Sequence, residues 1–186
     1  SVIITSPDKR SGRGMQMSES PVSIWAKEHS IKILKPEKID KDFIKEFESF
    51  VVNLSIVIAY GKIIPEALIN LPKLGTINIH YSLLPKYRGA SPVEEALLNG
   101  DKKTGVSIQQ MQFRLDSGPI IKDKEINIEE DEVKTKLLKR LTEIGGELLV
   151  ENLPEIFEGK INLKTQDENM ATYCKKIKKE DGLLDL

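Results

Sequence analysis

Short apolar runs alternate with amphipathic stretches along the first half of the chain. Runs rich in β-branched residues predict strands at 1–5, 31–34, 54–60, 75–80, 104–111 and 119–128. Apolar residues at three-to-four spacing, together with capping signals, predict helices at 21–29, after residues 40 and 65, at 91–100 and at 132–158. We therefore predict an α/β fold, in which an open, mainly parallel twisted sheet is flanked by helices.

Local signals define the limits of several of these elements. Ser20 before Pro21 is a typical helix start, and so is Asp40. The run 54–60 is continuously apolar, which predicts a strand that is covered on both faces. Pro154 is expected to break the last helix or to begin a new turn.

Composition and charge narrow the class of protein. The 186 residues suit one domain, and the 39% of hydrophobic residues exclude a disordered or collagen-like chain. The 28 Lys and Arg side chains nearly balance the 29 Asp and Glu, so a nucleic-acid contact would need a local basic patch. The one cysteine, Cys174, cannot form an internal disulfide, and no apolar run reaches the roughly 18 residues of a membrane span. We expect a cytoplasmic protein with no membrane contact.

The two histidines of the chain differ in their surroundings. His29 lies in a charged stretch at the end of a predicted helix, which is typical of a solvated surface histidine. His80 ends a predicted strand, and Asn78 leaves the same face of that strand about 7 Å away. Open α/β sheets bind their ligands at the carboxyl ends of strands. Taken alone, an Asn-x-His pair is still more often structural than catalytic.

Two loops favour the catalytic interpretation. The loop 82–89 carries two leucines, a proline and a basic pair, and exposed leucines there predict an apolar wall for a ligand. Asp116 supplies a carboxylate in a second loop, where an ordinary turn aspartate is the alternative. An amide, an imidazole and a carboxylate are the groups that acyl-type transfer needs. The sequence has no Gly-rich phosphate loop and no His or Cys cluster, so no metal is expected.

Three segments together resemble the signature of a known family. They are 78–90 (NIHYSLLPKYRGA), the stretch 100–106 (GDKKTGV) and the stretch 115–118 (LDSG). In this order and at this spacing they are similar to folate-dependent formyltransferases. The resemblance implies a Rossmann-like catalytic domain at 1–165, and 166–186 would begin a linker. It also implies that a further strand and helix precede the chain and that an OB-like domain follows it, so we expect a truncated chain. We also expect a monomer.

The loop 7–14 (PDKRSGRG) points to one branch of that family. It resembles the insertion with which members of this branch bind the acceptor end of initiator tRNA. In this branch, the formyl group of 10-formyltetrahydrofolate passes to the α-amine of methionine esterified to that tRNA, for translation initiation. By the same resemblance, the tRNA phosphates would be contacted by Lys9, Arg10 and Arg13. A solvated charged loop is the alternative.

The resemblance also implies a role for each candidate site residue. Asn78 would donate a hydrogen bond to the developing oxyanion, and His80 would do the same or supply a proton to it. Asp116 would orient His80, directly or through a water, and would help to move the amine proton to the leaving folate nitrogen. The folate co-substrate would lie along two segments, formed by Ser82, Leu83, Leu84 and Pro85 and by Tyr60, Gly61, Lys62 and Ile63.

Two alternative functions share these residues. One is a formyltransferase that acts on a small acceptor, either a sugar nucleotide or a purine precursor, or a hydrolase that releases formate. The basic loop argues against it, because a small acceptor needs no such insertion. The other is an inactive fragment that binds folate or RNA.

Overall fold

The computed structural model describes residues 1–11 and 16–182. The strands are β1 (Val2–Ile4), β2 (Lys9–Ser11), β3 (Gln16–Ser18), β4 (Lys32–Leu34), β5 (Ser55–Ile58), β6 (Thr76–His80), β7 (Arg88–Gly89), β8 (Lys103–Gln110), β9 (Ile120–Asn127) and β10 (Tyr173–Cys174). The helices are α1 (Pro21–Glu28), α2 (Lys41–Glu48), α3 (Glu66–Ile69), α4 (Pro92–Leu98) and α5 (Lys134–Phe157), with short 3-10 helices at Glu168–Met170 and Lys179–Gly182.

The main sheet is four-stranded, in the order β5-β6-β8-β9. Strands β5 and β6 are parallel, whereas β6 with β8 and β8 with β9 are antiparallel. Strands β1 and β4 form a separate parallel pair, β7 and β10 another, and β2 with β3 an antiparallel hairpin. The predicted α/β fold is confirmed, and its sheet is mixed, because a loop as short as 111–119 between β8 and β9 returns the chain antiparallel.

Helix α5 covers one face of this sheet. Its apolar stripe packs with alternate residues of β6 and β8 in one buried cluster, whose members include Ile77, Ile79, Val106, Ile108, Leu137, Leu141 and Leu148. At Gly145 the helix comes so close to β6 that a Cβ there would lie 3.0 Å from Ile79 Cγ2. Since side chains alternate along a strand, Asn78 and His80 are left on the opposite face.

The caps predicted at Ser20 and Asp40 are confirmed, but the break at Pro154 is wrong. Ser20 Oγ accepts the Ser23 N–H at 3.1 Å, and Asp40 Oδ1 accepts the Phe43 N–H at 3.0 Å. Helix α5 continues through Pro154 to Phe157. Proline lies there in the last turn of the helix, and the buried apolar stripe extends past it to Ile156.

The two-sided cover predicted for the run 54–60 is also wrong. Ile56 and Ile58 of β5 are 41% and 47% exposed, while Ser55 and Val57, which alternate with them, are half-buried. The reason is the position of β5, which is an edge strand of the four-stranded sheet and has one open face among the described residues. No helix within those residues is long and apolar enough to cross a membrane.

The segment 166–174 packs against the rest of the fold through β10, which pairs with β7. Cys174 is buried there, and its thiol contacts the carbonyl oxygens of Tyr87 and Arg88 at 3.5 Å. Burial raises the pKa of this thiol, since it disfavours the thiolate. The thiolate is the reactive form of cysteine.

We therefore expect Cys174 to resist alkylation in the folded chain. At pH 8, iodoacetamide should modify it at least about tenfold more slowly than in 8 M urea. The measurement is unambiguous because the chain has one cysteine. Equal rates with and without urea would show that the segment around Cys174 does not stay packed.

Candidate active site

The two residues singled out on β6 lie side by side on the face opposite α5. Asn78 is in register with Val57 of β5 and with Gln109 of β8, and His80 is in register with Ser107. The strand ends at His80. The predicted site therefore sits at the carboxyl end of β6, between one parallel and one antiparallel neighbour.

The His80 ring is fixed by a backbone carbonyl. Its side chain is largely buried, and Nε2 lies 2.8 Å from the carbonyl oxygen of Tyr87. A carbonyl only accepts, so Nε2 carries a hydrogen and donates. In the neutral ring Nδ1 is then the free acceptor, and it lies 3.8 Å from Asp116 Oδ2. The Tyr87 carbonyl thus sets the tautomer, and Asp116 is close enough to stabilise positive charge on the ring.

The Asn78 amide is oriented by two strand neighbours. Its Nδ2 donates to the Val57 carbonyl at 3.1 Å, and its Oδ1 accepts from Gln109 Nε2 at 3.3 Å. An amide nitrogen carries two hydrogens, and the described residues supply an acceptor for one of them. The second N–H of Asn78 remains available to a ligand.

The carboxylate of Asp116 is held at both oxygens. Oδ1 accepts from Gln109 Nε2 at 2.9 Å, and Oδ2 accepts from the Gly89 N–H at 2.8 Å. Asp116 itself has a φ of 45°, in the left-handed region that residues other than glycine seldom adopt. With both carboxylate oxygens hydrogen-bonded and a strained backbone, the Asp116 side chain has less conformational freedom than an ordinary turn aspartate.

Gln109 is a further member of this cluster that was not predicted from the sequence. Its Nε2 bridges Asn78 Oδ1 and Asp116 Oδ1, while its Oε1 is buried without a partner among the described residues. A signal was present in the sequence, because polar residues alternate with Val106 and Ile108 along β8. Its meaning depends on the register of β8 against β6, which the sequence does not supply.

The predicted folate-binding loop after His80, residues 82–85, is hydrogen-bonded to the main sheet. Ser107 Oγ donates to the Ser82 carbonyl at 2.8 Å and accepts the Leu84 N–H at 3.0 Å. Leu83 packs over Gly105, where a Cβ would lie 2.5 Å from Leu83 Cδ2. The side chain of Ser82 is buried as well, and the peptide bond between Leu84 and Pro85 is cis.

The expected pair of exposed leucines is therefore wrong for this loop. Leu84 is 6% exposed, and Leu83 is half-buried. Both side chains turn inward because the two hydrogen bonds of Ser107 pull the loop backbone onto β8.

The second predicted folate segment follows β5 at the same edge of the sheet as His80, since β5 and β6 are parallel. Gly61 has a φ of 73°, and Ile63 is exposed. Lys62 Nζ donates to two carbonyls, of Pro36 and Glu37, each at 2.9 Å. Two of the three N–H groups of its ammonium are therefore engaged within the fold.

The predicted tRNA-binding residues lie elsewhere in the fold. Lys9 and Arg10 are exposed on β2, in register with Ser18 and Met17 of β3. Arg13 lies outside the described residues. Within the described ranges, no hydrogen bond or ion pair joins Lys9 or Arg10 to Asn78, His80 or Asp116. The structure thus brings Asn78, His80 and Asp116 together. The hairpin of β2 and β3, which carries Lys9 and Arg10 and is called the basic hairpin below, is separate from them.

The family model and the relatives that match the chain are all described as formyltransferases. A family model described as formyl transferase matches residues 1–153. A methionyl-tRNA formyltransferase from Thermotoga maritima is 46% identical over 184 residues, and one from Sulfurihydrogenibium sp. is 42% identical over 185 residues. Each match covers 98% of this chain, but 59% and 60% of the relatives. The chain thus spans about three fifths of their length.

Solved structures agree with the fold. The formyltransferase PseJ from Anoxybacillus kamchatkensis, in complex with a formamido sugar nucleotide and tetrahydrofolate, is 25% identical with a TM-score of 0.69. That match covers 94% of this chain and 85% of PseJ. Glycinamide ribonucleotide transformylase 1 from Symbiobacterium toebii is 18% identical, with a TM-score of 0.74 over 89% of this chain and 80% of that one. The chain therefore belongs to the formyl transferase family.

Proposed function

We propose that this chain transfers a formyl group from 10-formyltetrahydrofolate to the α-amine of methionine esterified to initiator tRNA. The proposal rests chiefly on the cluster of Asn78, His80, Gln109 and Asp116 at the carboxyl end of β6. The substrate is suggested by relatives of 42–46% identity that are named methionyl-tRNA formyltransferases. Because aminoacylated tRNA is used where translation occurs, we place the chain in the cytoplasm.

Asn78 and His80 would stabilise the charge that develops on the formyl oxygen. Attack by the amine turns the trigonal formyl carbon tetrahedral and places negative charge on that oxygen. The free N–H of Asn78 is already oriented by Val57 and Gln109, so little reorganisation is needed when the charge appears. A preorganised donor of this kind commonly lowers a barrier by about 3–4 kcal/mol.

His80 and Asp116 would handle the proton. With Nε2–H donating to Tyr87, the nitrogen that exchanges protons with the substrates is Nδ1. The neutral ring would accept a proton from the attacking amine, and the charged ring would donate a hydrogen bond to the oxyanion. When the intermediate collapses, the bond between the formyl carbon and the folate nitrogen breaks, and the ring would pass its proton to that nitrogen, which yields tetrahydrofolate and the formylated amine. The Asp116 carboxylate, 3.8 Å from Nδ1, stabilises the charged ring in either case.

The residues near β5 suit a folate ligand. Tyr60 Oη is buried and has no hydrogen-bond partner among the described residues. Burial raises the pKa of this phenol, so the hydroxyl stays neutral and can donate to an incoming ligand. Tyr60, Gly61 and Pro85 would line the donor site, in which the folate supplies the formyl group.

The test is a formylation assay on the full chain. We would incubate it with 10-formyltetrahydrofolate and methionine-charged initiator tRNA, and quantify formyl-methionyl-tRNA and free formate. Formylated tRNA supports the proposal. Formate alone would indicate a hydrolase, and formylation of an amino sugar nucleotide in place of the tRNA would indicate a small acceptor, as the complex of PseJ suggests. Folate binding without turnover would indicate an inactive binding fragment.

The basic hairpin should contribute to tRNA binding by contacting phosphates. We expect Arg10→Ala to weaken binding of initiator tRNA and to reduce the slope of log K against log salt concentration by about 1, because one fewer counterion is released. The matched control is Lys139→Ala, which removes an exposed basic side chain from α5. Binding titrations at several salt concentrations measure both slopes. An Arg10→Ala slope equal to that of the control would remove Arg10 from the interface.

A further inference from the structure

Arg88 is an arginine with no exposed surface, and all its donors are engaged. Nε and Nη2 both donate to Gln166 Oε1, at 3.1 and 2.9 Å. Nη2 also donates to Glu168 Oε1 at 2.8 Å, and Nη1 donates to Glu168 Oε2 and Tyr173 Oη, each at 3.2 Å. These five bonds equal the five N–H groups of a guanidinium. All three partners belong to the segment 166–174.

Gln166 connects Arg88 to the predicted site by hydrogen bonds. Its Oε1 accepts the two bonds from Arg88, which leaves its Nε2 to face the loop that carries Asp116. Nε2 donates to the carbonyl of Asp116 at 2.9 Å and to the carbonyl of Gly118 at 2.6 Å. The amide of Gln166 thus uses both of its hydrogens on one loop, and Arg88 dictates which way the amide points.

The loop needs such support. Asp116 has a φ of 45°, a conformation that costs free energy for any residue with a side chain. The Gln166 bonds hold the carbonyls of the residues on either side of Ser117. The Gly89 N–H, next to Arg88 in sequence, holds Asp116 Oδ2. Arg88 and its neighbour therefore act on Asp116 by two routes, one through its backbone carbonyl by way of Gln166 and one through its carboxylate by way of the Gly89 N–H.

We propose that Gln166, oriented by Arg88, is a positioning residue for Asp116. Gln166 lies beyond residues 1–153, which the family model matches. The proposal deepens the proposed function and rests on it where formyl transfer is the readout. A segment that merely covers the sheet would need the anchor to Arg88, but it would not need the two bonds to the Asp116 loop.

Two substitutions separate these roles. Gln166→Glu keeps both acceptor contacts with Arg88 but cannot donate to the two carbonyls. Gln166→Met is neutral and similar in size, but it lacks both the donors to the loop and the oxygen that accepts from Arg88. The effect of a weakened anchor alone is therefore measured by the control variant described next. We expect each to lower kcat at least tenfold and to change the KM for 10-formyltetrahydrofolate less than twofold. Thermal melts establish that the assays use folded protein.

The matched control is Glu168→Gln. It weakens the anchor of the same segment, because a charged partner of Arg88 becomes neutral, but it leaves the bonds to the Asp116 loop in place. Its kcat should stay within twofold of the wild type even if its melting temperature falls. A kcat that follows melting temperature across all three variants would overturn the proposal. A loss in Gln166→Glu alone would also overturn it, because added charge would then be the cause.

A double-mutant cycle and a spectroscopic probe complete the test. If Gln166 acts through Asp116, Gln166→Met should have no further effect on kcat in an Asp116→Asn background. The NMR ring signal of His80, 3.8 Å from Asp116, should shift in Gln166→Met, while that of His29 should not. If the wild type transfers no formyl group, the proposed function fails, and the NMR signals still decide whether Gln166 positions this site. An unchanged His80 signal overturns the positioning role.

Discussion

His80→Ala is expected to lower kcat for formyl transfer by roughly a hundredfold or more. The substitution removes both the group that exchanges the proton and a donor to the developing oxyanion. Folate binding should survive, because the predicted donor site is formed by other residues. Single-turnover formylation and a separate folate-binding titration measure the two effects independently. Asn78→Ala is expected to show a loss of the same order, since it removes the other donor to the oxyanion.

The second histidine of the chain provides the control. His29 lies at the exposed end of α1, where its ring stacks on Trp25 with centroids 4.1 Å apart. We expect His29→Ala to leave kcat within twofold of the wild type. If His80→Ala and His29→Ala retain equal turnover, the reaction does not occur at the end of β6, and the proposed site is wrong.

Gly118→Ala is expected to cause a large loss of stability. A Cβ at Gly118 would lie 1.7 Å from the carbonyl oxygen of Gln110, far inside van der Waals contact. That oxygen belongs to the backbone of β8, so it cannot turn away as the end of a side chain could. We expect the free energy of unfolding to fall by about 3 kcal/mol or more, measured by urea denaturation.

Gly146 offers a matched substitution. It lies in α5, and a Cβ there would meet nothing within 4 Å. Gly146→Ala should therefore stabilise the chain by up to about 1 kcal/mol, through the higher helix propensity of alanine. If both variants unfold at the same urea concentration, the chain at Gly118 does not pass as close to β8 as the structure has it.

The elements that the sequence predicted well are those determined by local chemistry. Ser20 and Asp40 cap their helices because a cap depends on a few consecutive residues. Asn78 and His80 share a face because side chains alternate along any strand. The open face of β5 was not predictable, because the same apolar run suits a central strand or an edge strand.

The residues that the sequence did not reveal are those placed by long-range packing. Gln109 depends on the register between β6 and β8, and the inward turn of Leu84 depends on Ser107 across that register. Gln166 lies 50 positions beyond Asp116, and a polar tail gives no sign of such a contact. Asn78, His80 and Asp116 could be predicted from the sequence, but Gln109 and Gln166, which orient them, could not.

The contact between Gln166 and the Asp116 loop also sets an order of events during synthesis. A ribosome adds about 5–20 residues per second, so roughly 3–10 s separate the appearance of Asp116 from that of Gln166, 50 residues later. During that interval Asn78, His80 and Asp116 are all in the nascent chain, but the loop lacks the amide that fixes its backbone. For the proposed formyl transfer, the nascent chain should therefore become active late, when the segment 166–174 docks, rather than when Asp116, the last of the three predicted site residues, is made.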